Sequence, residues 1–490
     1  MARRTKSVEQ SIADTDEPDT RLRKDLSWWD LTVFGVSVVI GAGIFTITAS
    51  TAGNIAGPAI SVSFVIAAIA CGLAALCYAE FASTVPVAGS AYTFSYATFG
   101  EFVAWIIGWD LVLEFAVAGA VVAKGWSSYL GEVFSFGGAT AEVFGLQVDW
   151  GALLIIAFVT AILAWGTKLS AGVSLAITVI KVAVVLLVVV VGAFHIKLRN
   201  YSPFLPPPAE AGEAGTRTLD QSLFSLFTGA EGSHYGWYGL LAGASIVFFA
   251  FIGFDIIATT AEETRNPQRD VARGIIASLV IVTILYVAVA IVVTGMVHYT
   301  ELRDAGDEAN LATAFAANGI HWAATVISIG ALAGLTTVVI VLVLGQTRVL
   351  FAMSRDGLLP RVLAKTGKHG TPVRITLIVG ASVAVAATFF PMGNLAEMVN
   401  IGTLFAFVLV SAGVIVLRRS RPDLERGFRA PAVPWLPIAS ILACWWLMVN
   451  LTVLTWVRFL VWMAVGVVVY FLYGRSHSVL GRSMAAVSGR

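Results

Sequence analysis

The sequence predicts an all-α integral membrane protein of about twelve transmembrane helices, counting roughly 20 apolar residues for each crossing. Three observations carry that prediction. Apolar residues make up 58% of the 490 and charged residues only 12%, where soluble domains run at about 25% charged. The apolar residues gather in long, evenly spaced runs, with a mean hydropathy of +0.85. Lysine and arginine, finally, crowd into alternate connecting segments. A large soluble helical core would not give runs of this length and spacing.

In chain order, residues 1–27 are polar and charged and hold no apolar stretch of the kind a secretory leader requires, so they read as a cytoplasmic tail. Apolar runs follow near 30–51, 59–84, 101–130, 151–167, 171–196, 240–261, 273–298, 322–350, 373–391, 396–417, 434–455 and 457–473. Breakers separate most of them: Gly57-Pro58, the Pro206-Pro207-Pro208 run, Thr371-Pro372, and Pro434 with Pro437.

Orientation follows from basic residues in the short loops. With the N-terminus inside, the inner segments hold Arg21, Arg23 and Lys24, then Lys168, then Arg265, Arg269 and Arg273. Further along they hold Arg348, Arg355, Arg361, Lys365, Lys368 and Arg374, then Arg418, Arg419, Arg421, Arg426 and Arg429, and last Arg475. The outer segments hold only Lys197, Arg199, Arg217, Arg303 and Arg458. An even number of spans with both termini in the cytoplasm is the expectation.

The first apolar run contains SVVIGAGIFTITAS at 37–50, with Gly41 and Gly43 near mid-depth. Glycine inside a helix costs about 1 kcal/mol relative to alanine. The sixth run repeats the pattern in SIVFFAFIGFD at 245–255. Five spans apart, the two segments enter the membrane from opposite sides. Paired interruptions in matching spans point to a transporter binding site; close packing through small residues is the plainer use of such glycines. An unwound helix exposes amides at one half-helix N-terminus, which suit a carboxylate. It also exposes carbonyls at the other half's C-terminus, which suit an ammonium. Two such breaks can hold both ends of a zwitterion with main chain alone.

Ionisable residues at depth are the next signal. Lys181 lies inside SLAITVIKVAVVLLVVVV, about ten residues from the inner end of its run. That is roughly 15 Å of depth, further than a lysine stem comfortably snorkels. A charge there costs about 2.5–3.5 kcal/mol by insertion scales. Such an amine can release and regain a proton during a transport cycle, or serve as a fixed structural charge on backbone carbonyls. Asp110 and Glu114 in GWDLVLEF share a helix face one turn apart. Glu114 sits near mid-depth, as the partner of a substrate cation or of a structural ion pair. Lys124, about 15 Å further along, cannot reach it. Asp255 follows the sixth-run break and reads as a cap for the half-helix after it. Phe248, Phe249 and Phe251 flank the same break, either as a lid or as ordinary packing.

Composition excludes other classes. A net charge of +1 gives nucleic acid no purchase, and the six histidines are scattered without metal-ligand spacing. Cys71, Cys77 and Cys444 all fall in apolar runs and suggest no disulfide framework. An intramembrane enzyme needs a nucleophile or metal cluster at depth, and a channel a repeated pore filter; neither pattern is evident. The expected partners are a small molecule and the lipid bilayer, with no cofactor beyond a coupling proton and no protein partner identified.

In order along residues 25–475, GAGIF, PVAGSAYTF, GWDLVLEF with AKGWSSYL, NYSPFLPP, FFAFIGFD, AEETRNPQRDVARGI, GQTRVLFAMSRDGLLP and NIGTLFAFVLVSAGVIVLRRSRPDLERGFRAP resemble the amino acid–polyamine–organocation transporters. Their cationic amino acid transporter branch is the nearest likeness, in its bacterial twelve-span form. The resemblance implies a LeuT-like fold of two inverted five-helix repeats and two further helices. On it, 28–198 is the first repeat, 199–239 an extracellular loop, 240–418 the second repeat, 419–433 a cytoplasmic loop, 434–473 the last two spans and 474–490 a cytoplasmic tail. It also implies a substrate carboxylate on the amides of Ile40, Gly41, Ala42, Gly43 and Ile44, and an α-amino group on the carbonyls of Phe249, Ala250 and Ile252. Lys181 matches the lysine that, in proton-coupled relatives, stands where others bind sodium. The expected function is secondary active import of L-amino acids across the plasma membrane, coupled to protons through Lys181; exchange of amino acids or of an amino acid for an amine is the alternative. Bacterial relatives of this branch carry neutral amino acids too, so the branch name does not fix the side chain.

Overall fold

A computed structural model describes residues 25–482 except 85–89, 135–138, 144–145, 167–170, 211–218, 229–232, 261–263, 307–308 and 367–370. The expectations placed on residues 1–24, on Pro86-Val-Ala-Gly, on Lys168, Arg217 and Lys368 and on the last residues of the C-terminal tail lie outside the described residues.

Among the described residues the chain is all-α apart from two small hairpins, Thr140–Val143 with Leu146–Asp149 and Ala209–Glu210 with Ser233–His234. Its principal helices are α1 (Trp28–Val39), α2 (Ile60–Thr84), α3 (Ser90–Thr98), α4 (Glu101–Phe134), α5 (Trp150–Ala164), α6 (Ala171–Ala193) and α7 (Gly236–Val247). After these come α8 (Ile256–Thr259), α9 (Pro267–Met296), α10 (His321–Arg355), α11 (Val373–Phe389), α12 (Met392–Ser420), α13 (Trp435–Val449) and α14 (Val453–Val469). Every apolar run read from the sequence falls on one of these helices or on a broken pair of them. Among the described residues, eight apolar helical stretches of 19 to 42 residues are long enough to cross a membrane, and four apolar helices are shorter. The longest, Gly43–Thr84, joins two of the expected runs through a turn at Gly57. That residue has φ +63°, a conformation glycine enters without the Cβ clash other residues meet.

Local chemistry sets the helix ends. Ser27 and Asp30 form a reciprocal capping box at the start of α1. Asp149 accepts the Ala152 amide at 2.9 Å and starts α5. Pro267 occupies the first turn of α9, where its missing N–H leaves no hydrogen bond unmade.

Packing brings the interrupted elements to the middle. α1 and α2 lie along α9, while α4 runs between α10 and α12. At the end of the bundle that charge bias assigns to the cytoplasm, Glu80 of α2 is buried against two guanidinium groups. It accepts Arg418 Nε at 2.8 Å, Arg418 Nη2 at 2.7 Å and the Ala430 amide at 2.8 Å, with Arg426 Nε 3.5 Å away. This cluster locks α2, α12 and the loop after α12 together.

Candidate functional site

α1 ends at Val39, and Ile40 turns extended, with φ −69° and ψ 93°. The Ile40 amide closes α1 on the Val36 carbonyl at 3.0 Å. The next helical bond runs from the Phe45 amide to the Gly41 carbonyl at 3.3 Å, opening a π-helical turn at Gly43–Ile47. A helix leaves its first four amides without intrahelical acceptors. Here those are the amides of Gly41, Ala42, Gly43 and Ile44. The Ile40 amide, by contrast, is bonded within the preceding helix.

Hydroxyl groups hold the wide π-turn in place of regular helix bonding. Thr46 donates to the Ala42 carbonyl at 2.5 Å, Thr48 to Gly43 at 3.2 Å, and Tyr129 of α4 to Phe45 at 2.5 Å.

The second interruption mirrors the first in kind. α7 tightens into a 3₁₀ turn at Phe248–Phe251, and Ile252 leaves helical geometry with φ −64° and ψ 138°. Gly253 follows at φ +116°, with the space a Cβ would need occupied by Val38 Cγ1 at 2.8 Å. The Ile252 amide donates to the Phe249 carbonyl at 3.2 Å. Of the three carbonyls assigned to an ammonium, that of Phe249 thus already accepts one internal bond. Asn400 of α12 fixes the end of α7 by donating to the Ser245 carbonyl at 2.7 Å and the Ile246 carbonyl at 3.2 Å.

The two breaks touch. A Cβ placed on Gly43 would collide with the Ala250 Cα and stand 2.8 Å from its backbone nitrogen. Only a residue without a side chain lets the amide end of one half-helix approach the carbonyl end of the other so closely. Phe249 lies at this junction, buried but with 6% of its surface accessible. Its neighbours are packed elsewhere: Phe248 against Phe407, and Phe251 between Phe64 and Tyr286.

Lys181 of α6 reaches the same break from behind. Its side chain is 1% exposed, and Nζ donates to the Ser37 carbonyl at 2.7 Å. Gly334 of α10 makes room for it, since a Cβ there would stand 2.9 Å from Lys181 Cγ and 3.1 Å from Cε. Tyr286 of α9 donates to the Val39 carbonyl at 2.7 Å. Two of the carbonyls that α1 leaves open at its end, those of Ser37 and Val39, are thus taken up by one amine and one phenol. Among the described residues, no carboxylate lies within ion-pair distance of Lys181.

Acidic residues gather just past the second break. Glu114 is buried beside Asp255 and Thr403, and Asp110 sits one turn away against Gly402. Both Asp110 carboxylate oxygens are buried without a hydrogen-bond partner. Neither Asp110 nor Glu114 has a cation at ion-pair distance among the described residues. Asp255 stands at the N-cap position of α8 in αR geometry and makes no capping bond to the helix. Its Oδ1 is buried without a hydrogen-bond partner among the described residues. Lys124 is far from this group, donating to the Ala387 carbonyl at 2.9 Å with Asp149 Oδ2 at 3.9 Å.

Tyr286, Asn400 and Gly334 escape a reading of the sequence. Each bears on a backbone atom or side chain 140 or more residues away, and neither periodicity nor depth signals such a contact. The polar residues in apolar runs, Tyr286 and Asn400, were the available hint.

The profile of the family described as "Amino acid permease" matches residues 26–486. The chain is 43% identical to the "Branched-chain amino acid permease BcaP" of Bacillus subtilis (strain 168), with 98% of this chain and 99% of that protein covered. It is 42% identical to the "Methylthioribose transporter" of the same organism, covering 94% and 95% of the two chains. The "Cationic amino acid transporter 4, vacuolar" of Arabidopsis thaliana is 30% identical, with 98% and 96% covered. These relatives are named as permeases and transporters, not as enzymes.

Proposed function

This chain belongs to the amino acid permease family, and we propose that within it the protein imports neutral L-amino acids across the bacterial plasma membrane by proton-coupled symport. The observation that carries the reading is the Lys181 ammonium bonded at 2.7 Å to the Ser37 carbonyl, beside the break in α1. The amides of Gly41, Ala42, Gly43 and Ile44 receive the substrate carboxylate at a half-helix N-terminus, where an anion is favoured. The α-ammonium meets the carbonyls of Phe249, Ala250 and Ile252, and Phe249 covers the occupied site. An apolar, branched side chain fits the printed name of the relative at 43% identity and the apolar residues around the breaks.

Proton coupling follows from the amine. When charged, Lys181 holds the end of α1 by a charge-assisted hydrogen bond, about twice as strong as a neutral one. Loss of the proton weakens that hold and lets the half-helix move, so that substrate and proton leave on the same side. Alternating access then proceeds by motion of the repeats 28–198 and 240–418 about the shared site, with both termini in the cytoplasm.

The test uses proteoliposomes of the full-length protein and labelled leucine. Net accumulation under an inside-alkaline gradient, in vesicles with no internal amino acid, is the expected result. Uptake that requires internal amino acid would mark an exchanger. Competition by the twenty amino acids identifies the side chain, and competition by methylthioribose alone would replace the zwitterion by a sugar, as the second relative's name raises.

A further inference from the structure

We propose that the cleft between the start of α9 and the loop after α12 holds the phosphate headgroup of an anionic phospholipid. The cleft has a volume of about 410 Å³ and is lined by Arg269, Ala272, Arg273, Ile276, Gly427 and Phe428. Arg269 and Arg273 are one helical turn apart and so share a face. Both are exposed, and among the described residues neither forms an ion pair. Among the described carboxylates of this end, Glu80 is paired with Arg418 and Arg426, Asp423 with Arg421, and Asp270 is buried, while Glu425 is exposed in the loop and forms no ion pair with either arginine.

Helix stability does not account for this pair. Both arginines stand in the first two turns of α9, near the positive end of the helix dipole, where a cation is disfavoured. The opposite wall is built rather than loose. Gly427 rests directly on Gln268, the Phe428 amide donates to Ser83 Oγ at 3.2 Å, and the Ala430 amide to Glu80. Ile276 lies a turn further along α9 toward its apolar stretch, with Phe428 across the cleft. Two guanidinium forks over a phosphate, with an apolar floor on the membrane side, match a lipid headgroup and the start of its chains. A soluble phosphate would use the forks and leave that floor unused. The face is the one that charge bias assigns to the cytoplasm, where anionic lipids and basic residues attract one another.

Native mass spectrometry of the full-length protein, titrated in neutral detergent with phosphatidylglycerol or phosphatidylcholine, tests this independently of transport. Wild type should retain phosphatidylglycerol selectively. The double variant R269Q/R273Q should bind it roughly 30-fold more weakly, about fivefold for each arginine. R269K/R273K, which keeps the charge, should lose much less, and R361Q/K365Q, which removes two other exposed charges from the same face, should bind as wild type does. Equal weakening in R361Q/K365Q would reduce the effect to general surface charge and overturn the proposal. So would unchanged retention in R269Q/R273Q. Full displacement of the lipid by millimolar glycerol 3-phosphate would assign the cleft to a soluble phosphate and overturn the lipid source.

Discussion

The Lys181 ammonium donates to the Ser37 carbonyl across 144 residues of sequence, tying the middle of α6 to the last turn of α1 before its break. Ser37 lies four residues before Gly41, where the amide cradle begins. On the proposed function, a change in charge at the amine acts on the element that presents the cradle, through this hydrogen bond. Two-state motion coupled to one proton needs a link of this kind between the titrating group and the moving element.

Gly334 sets the position of that amine. Gly334→Val places methyl groups where the Lys181 stem now runs, within 2.9–3.4 Å of a Cβ. We expect gradient-driven accumulation to fall about tenfold or more, the effect of 1.4 kcal/mol or greater on the coupled step. Counterflow exchange, which needs no proton, should be reduced much less. The comparison of the two assays in one preparation checks it.

Gly43 sets the distance between the two half-helices. Gly43→Ala forces its methyl onto the Ala250 backbone, which cannot rotate away. Overpacking of this kind costs about 1–3 kcal/mol, and transport should be lost with it. Gly393→Ala, whose Cβ meets nothing within 4 Å, serves as the matched control. Its melting temperature and uptake should stay at wild-type values.

Tyr286→Phe removes the hydroxyl bonded to the Val39 carbonyl while keeping the ring beside Phe64 and Phe251. A buried acceptor left without its donor costs about 1–3 kcal/mol. A lower melting temperature together with weaker substrate binding is the expected outcome. A melting temperature equal to wild type would show that water or the amine of Lys181 replaces the phenol.

Glu80 is a separate matter of stability. Glu80→Gln leaves the Arg418 and Arg426 guanidinium groups facing a neutral amide in a largely buried cluster. Removing one partner of a buried ion pair costs about 3–5 kcal/mol, which thermal unfolding in detergent will register. Vesicle uptake by the surviving folded fraction should keep its substrate selectivity, because Glu80 is at the bundle's end and touches neither break.

Both interruptions and the depth of Lys181 were legible in the sequence because each is a local violation of an otherwise apolar helix. A glycine pair, or one amine in an eighteen-residue and largely apolar run, stands out against its own neighbours. What Lys181 touches was not legible. Its acceptor is a main-chain carbonyl, and a carbonyl carries no mark of the residue that bears it. The role of Gly334 was hidden for the same reason, since its value is the volume it leaves to another helix. Asp255 shows the converse limit. Its spacing fits a cap, but its side chain makes no capping bond to α8. Ile40 is similar: the family resemblance groups it with the carboxylate-binding amides, while its amide is bonded to the Val36 carbonyl of α1.

The most direct measurement is simultaneous recording of amino acid and proton flux in proteoliposomes holding Lys181→Ala. The account predicts that wild type moves protons with substrate and accumulates it under an inside-alkaline gradient. The variant should still bind substrate and carry out counterflow but show neither proton flux nor accumulation. Wild-type accumulation and proton movement in Lys181→Ala would contradict it.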